Sequence, residues 1–106
     1  MFDKKSLESE FETLSQHWKQ DTKFLSNAAT ICSHPAYRSI IAMGIAMGEP
    51  VVPLILSDLK RHPGTHWFVA LTAITGLNPI TEEIAGQMQE MTDAWLKLGK
   101  EKGWLN

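Results

Sequence analysis

Cysteine is nearly missing from this chain. Cys32 stands alone among 106 residues, so no intrachain disulfide can form and the composition fits a reducing, cytoplasmic setting. No apolar run approaches the roughly 20 residues needed to cross a bilayer, which argues against a membrane helix. Positive charge is not in excess. Ten Lys and Arg against twelve Asp and Glu leave a formal charge of −2, which argues against non-specific attraction to nucleic acid or acidic membranes. The glycines are scattered at expected helix ends, so there is no glycine-rich phosphate loop. Alternation of apolar and polar residues never persists beyond three or four positions, which excludes a strand-built core. The first residues, Met1-Phe2-Asp3-Lys4-Lys5, lead into a polar amphipathic segment and not into the apolar stretch of a signal peptide.

What is present suits one all-α domain, 1–106. Hydrophobic residues make up 43% and charged residues 21%, ordinary values for a globular chain. The length allows one modest core without covalent staples. Four tryptophans are many for this size, and they serve as core fillers or as interface anchors.

The chain is organised around Gly48–Pro79. Gly48 ends one helix and Pro50 opens the next, because a first-turn position has no intrahelical use for the N–H that proline lacks. Counted from Val51, the residues Val51, Ile55 and Leu59 share a face with Val52 and Leu56 beside them. Ser57, Asp58, Lys60 and Arg61 form the wet side, the two cations at the negative end of the helix dipole. Pro63-Gly64 signals a turn, Thr65 is the expected N-cap of a helix through Thr75, and Gly76 with Pro79 closes it. This is an apolar helical hairpin, expected in the middle of the core.

The flanks are helical too. From Ser6 to about Lys23, the residues Leu7, Phe11, Leu14 and Trp18 form one stripe. Ser26 either caps a short helix holding Ala28, Ala29, Ile31 and Cys32, or the first helix runs through to Cys32. Ser33-His34-Pro35 stops whatever precedes it, and Pro35 opens another helix. Within it Ile41-Ala42-Met43-Gly44 is followed at once by Ile45-Ala46-Met47-Gly48, a duplication that either lengthens the helix end by one turn or makes a small loop. Thr81–Ala85 reads as a separate turn. A final helix begins at about Gln87 with the stripe Met88, Met91, Trp95 and Leu98; Gly103 ends it, and Trp104 and Leu105 fold back on the body.

The Ala70-Leu71-Thr72-Ala73-Ile74 segment, after a proline-containing apolar helix, resembles one HEAT-type repeat. Solenoids need several stacked units, and no second one is evident here. The expected architecture is therefore a compact bundle of five or six helices around a HEAT-like hairpin. A broader resemblance rests on His34-Pro35-Ala36-Tyr37, Ile40-Ile41-Ala42-Met43-Gly44, Val52-Pro53-Leu54-Ile55-Leu56, His66-Trp67-Phe68-Val69-Ala70-Leu71, Ala73-Ile74-Thr75-Gly76, Asn78-Pro79 and Ala94-Trp95-Leu96. These resemble a family of small, largely uncharacterised bacterial and cyanobacterial proteins, from which the IAMG duplication departs as an insertion. The resemblance implies no activity. It implies a protein partner encoded nearby, as in paired two-gene systems.

Chemistry-bearing patterns are sparse. His62 and His66 have ligand spacing, but Pro63-Gly64 between them keeps them off one helix face, and Cys32 and His34 join only if the fold brings them close; no metal site is expected. Cys32 beside Ile31 reads as a small core residue, not a nucleophile. Glu82-Glu83 sits where a helix dipole explains it. No catalytic residue and no cofactor are expected. The expected function is non-catalytic protein binding, as an adaptor or as the inhibitory or immunity-like half of a bacterial pair. Its candidate contact residues are Tyr37, Arg38, His66 and Trp67. The alternative is a small DNA-binding regulator, although the Thr65–Thr75 helix offers no Arg, Lys, Asn or Gln to read bases.

Overall fold

The computed structural model describes residues 4–48 and 50–105, with Lys4 only in its backbone. The reading of Met1–Asp3 as free of a signal peptide, and the position of Glu49, lie outside the described residues. Six helices and no strands occur among the described residues: α1 Lys4–Thr22, α2 Ala28–Cys32, α3 Pro35–Met47, α4 Val51–Arg61, α5 Phe68–Thr75 and α6 Met88–Glu101. This is the expected all-α bundle. None of these helices is long and apolar enough to cross a membrane. The Cα radius of gyration is 13.1 Å, that of a compact domain of this length.

The stripe predicted for α1 is buried at Leu7, Phe11 and Trp18, with Leu14 packed beside them. The short-helix alternative holds for α2, but Asn27 caps it instead of Ser26, its side-chain oxygen accepting from Thr30 N–H. His34 caps α3 in the same manner: its Nδ1 accepts from the Ala36 N–H at 3.0 Å, while Pro35 fills the first helical position. The α3 helix runs unbroken from the first IAMG copy to Met47 of the second, with Gly48 as its C-cap, so the duplication lengthens the helix end. Ile45 and Met47 in that lengthened end are exposed.

Helix α4 is the hub, packing on α1, α3, α5 and α6. Its face Val51, Val52, Ile55, Leu56 and Leu59 is buried as the spacing predicts; each such side chain contributes about 1.5–3 kcal/mol. Asp58 is the exception to its expected wet side and is buried at 5% exposure. Helix α5 begins two residues later than expected, with Trp67 and not Thr65 in the cap position. Thr65 does not cap it, because its hydroxyl donates to the His62 carbonyl and its own carbonyl accepts from Trp67 N–H, closing a tight loop before the helix starts.

The expected α4–α5 hairpin pair does touch, but α5 packs more extensively on α3. Gly44 makes this approach possible: a Cβ there would lie 2.3 Å from Ile74 Cδ1. Turn 82–86 precedes α6. The Gly103 N–H donates to the Lys100 carbonyl and the Trp104 N–H to the Gly99 carbonyl, the paired bonds of a Schellman ending with Gly103 at φ +78°. That ending turns Trp104 and Leu105 back against the core.

Candidate functional site: the outward face of α5 and the polar aromatic centre beneath it

The four expected contact residues do not form one surface. Tyr37 and Trp67 have no exposed area, which corrects their assignment as contact residues: a partner meeting the folded protein cannot reach their side chains. They are wedged together with Trp18, whose ring lies 4.6 Å from that of Trp67 and 4.8 Å from that of Tyr37, and Phe11 stacks on Trp67 at 5.6 Å. Helix spacing on α1 supplies Phe11 and Trp18, and the starts of α3 and α5 supply the other two. Arg38 is exposed on α3, and His66 is half-buried in the loop before α5.

Each polar atom of this cluster is satisfied from a different element. The Tyr37 hydroxyl donates to the His66 carbonyl at 2.8 Å and accepts from the Ala70 N–H at 2.9 Å, fastening the first turn of α5 to α3. Burial pushes its phenol well above the ordinary tyrosine range, with Cys32 alongside adding to the effect. The Trp18 indole N–H donates to the Ile31 carbonyl at 2.8 Å. The Trp67 indole N–H donates to Asp58 Oδ2 at 2.8 Å, and Lys19 Nζ meets Asp58 Oδ1 at 2.7 Å. A buried carboxylate therefore has both a neutral donor and a cation, which is what makes its burial tolerable. Cys32 packs nearby with its thiol 3.8 Å from the His66 carbonyl, and burial raises its pKa, opposite to what a nucleophile requires.

Above this centre, α5 carries no charged residue and is apolar on nearly every side. Such a helix is ordinarily enclosed. Here Ala70 and Leu71 are buried, whereas Val69 is 54% exposed and Ala73, one turn on, is exposed as well. Shallow apolar grooves flank the Phe68–Val69 ridge. One is lined by Ala28, Cys32, His66, Met88 and Met91, the other by Thr72, Ala73, Asn78 and Ile80. His66 is thus the one expected contact residue bordering this face. The spacing of Val69 and Ala73 was visible in the sequence, but their outward direction depends on how α5 is rotated by the Tyr37 and Gly44 contacts.

Sequence reasoning also passed over His17 and Asp21. Among the described residues, one group of three His, Cys, Asp or Glu side chains brings its ligand-type atoms together: His17 and Asp21 on α1 with His34 at the cap of α3, all within 4.8 Å of one another. The His34 hydrogen bond is the largest influence on the Asp21 carboxyl and, with His17 beside it, holds that carboxyl below the ordinary aspartate value. The i,i+4 spacing of His17 and Asp21 is legible; their meeting with His34 is not. The histidines weighed from sequence do not enter this group: His62 is exposed at the end of α4, and His66 lies at the α5 groove. Searches with this chain find no matching protein-family model, no matching curated protein and no matching solved structure.

Proposed function

We propose that this protein is a non-catalytic protein-binding module that docks a partner protein on the outward face of α5. The supporting observation is the contrast between the composition of α5 and its exposure: a helix without charge leaves Val69 and Ala73 in solvent between two apolar grooves. Exposed apolar surface of this kind marks interaction sites on stable monomers, and apolar, aromatic and Met-lined grooves accept a partner's apolar ridge. The residues with catalytic potential fit the same reading. Tyr37 and Asp58 are committed to internal hydrogen bonds, and the Cys32 thiol is held protonated by burial.

The partner class is a protein made from an adjacent gene, as in two-gene systems in which one small protein restrains or delivers the other. Co-expression of the tagged chain with neighbouring gene products, followed by co-purification, tests this. Val69→Asp is expected to abolish recovery of the partner while leaving the helical circular dichroism unchanged. Undiminished recovery with Val69→Asp would remove the α5 face from the interaction.

A further inference from the structure

We propose that His17, Asp21 and His34 form a binding site for a divalent transition-metal ion of the zinc type, which staples the end of α1 to the start of α3. The donor set is two imidazole nitrogens and one carboxylate oxygen, a combination that suits Zn²⁺ and its neighbours and leaves further positions for water. The geometry is close to preassembled. His17 Nε2 lies 3.1 Å and His34 Nε2 2.8 Å from the same oxygen, Asp21 Oδ2. Metal–ligand bonds of about 2.0–2.2 Å in a tetrahedral arrangement place ligand atoms roughly 3.3–3.5 Å apart. Entry of the ion therefore needs the two imidazole nitrogens to draw back from Asp21 by roughly 0.2–0.7 Å, and the three donor atoms already lie within 4.8 Å of one another.

The site is supplied by the fold and not by a flexible tail. His17 and Asp21 are one turn apart on α1, so both project from one face. His34 is placed by Pro35 behind it and by a capping bond that the ion would replace, and its ring meets that of His17 edge-on at 5.4 Å. Access is open: the His17 and Asp21 side chains are 64% and 49% exposed, and that of His34 is 15% exposed.

Metal binding also has a local signature. Nδ1 of His34 accepts from the Ala36 N–H, so in the neutral ring the proton sits on Nε2 and points at Asp21. A metal on Nε2 moves that proton to Nδ1 and withdraws the acceptor from the Ala36 N–H. The ion thus exchanges a helix cap for a cross-link between two helices.

The test is titration of the purified full chain with Zn²⁺ by calorimetry, and with Co²⁺ as a spectroscopic probe of coordination. The expected result is one ion per chain, a visible Co²⁺ spectrum of nitrogen–oxygen coordination, and a shift of the Ala36 amide resonance in NMR. Affinity should fall by more than about tenfold in His17→Gln and in Asp21→Asn. His34→Asn keeps a capping side chain and should also lose the ion, with the helical circular dichroism of all three variants unchanged. Binding that is absent, non-saturable, or indifferent to these substitutions overturns the proposal and leaves the triad as a hydrogen-bonded brace.

Discussion

The indole N–H of Trp67 donates to the carboxylate of Asp58 across 2.8 Å, inside the protein, with Asp58 only 5% exposed. The other carboxylate oxygen meets Lys19 from α1. Breaking this arrangement from the Asp58 side leaves an indole donor buried without an acceptor. Asp58→Ala is therefore expected to destabilise the fold by about 2–4 kcal/mol. Lys19→Met should cost less, about 1 kcal/mol, because the Lys19 side chain is one-third exposed and Arg61 remains 3.8 Å from the same carboxylate oxygen. Urea unfolding of both single variants and the double variant measures the coupling. A loss below about 1 kcal/mol in Asp58→Ala would sink this account.

Gly44 and Ile74 offer a sign reversal. Ala is favoured over Gly in a helix by about 1 kcal/mol, yet Gly44→Ala puts a methyl 2.3 Å from Ile74 Cδ1 and 2.6 Å from Ile74 Cγ1. Overpacking of about 1–3 kcal/mol outweighs the propensity gain, so Gly44→Ala should lower stability. In an Ile74→Ala background those atoms are gone, and the same change should raise it. Thermal unfolding of the four proteins decides the matter; the same sign in both backgrounds would count against the close approach.

Tyr37 is the chain's single tyrosine, so its ionisation can be followed in isolation by ultraviolet difference titration. Burial raises its folded-state pKa. The unfolded chain releases the phenolic proton near the ordinary value of about 10, while the folded chain keeps it. The stabilisation from the neutral phenol is thus complete below about pH 10 and is lost as pH rises above it. Phenolate should emerge together with loss of helix, and Tyr37→Phe should shed this alkaline component while costing about 1–3 kcal/mol at neutral pH. Reversible ionisation near pH 10 with helical content intact would contradict the buried hydrogen bonds.

Trp67 and Val69, two positions apart, should behave oppositely. Val69→Asp changes an exposed position and should shift stability by no more than about 0.5 kcal/mol while removing the partner. Trp67→Ala empties the aromatic centre and should cost about 3–5 kcal/mol, so that any loss of binding follows unfolding. Chemical denaturation alongside binding measurements separates the two.

Cys32 should alkylate slowly. Its half-buried thiol has a raised pKa, so at pH 8 iodoacetamide should react much more slowly with the folded chain than with the urea-unfolded one. Equal rates would show the thiol to be free of the core.

Patterns of local origin carried through to the fold. The stripe on α1 and the α4 face from Val51 to Leu59 follow from helical period and burial, and Gly76 and Gly103 stop helices because they alone accept positive φ there at no cost. Caps were read less well. Asn27 took the place expected of Ser26, Thr65 caps no helix, and His34 caps α3 where no cap was foreseen, because any suitably placed acceptor satisfies an orphan N–H and neighbouring geometry chooses among them. The site was the least legible part. Asp58 falls on what local pattern calls a wet face, and its distant partners Lys19 and Trp67, with Arg61 one turn on along α4, make its burial tolerable.

The sequence by itself determined an all-α chain, the approximate helix boundaries and most of the apolar core, since each depends on residues within one or two turns of one another. The tertiary structure alone decided that Tyr37 and Trp67 lie inside, that Val69 and Ala73 face outward, and that His34 meets His17 and Asp21. Those outcomes depend on how α1, α3 and α5 are rotated against one another. That rotation is set by side-chain contacts between residues far apart in the chain, which periodicity does not encode.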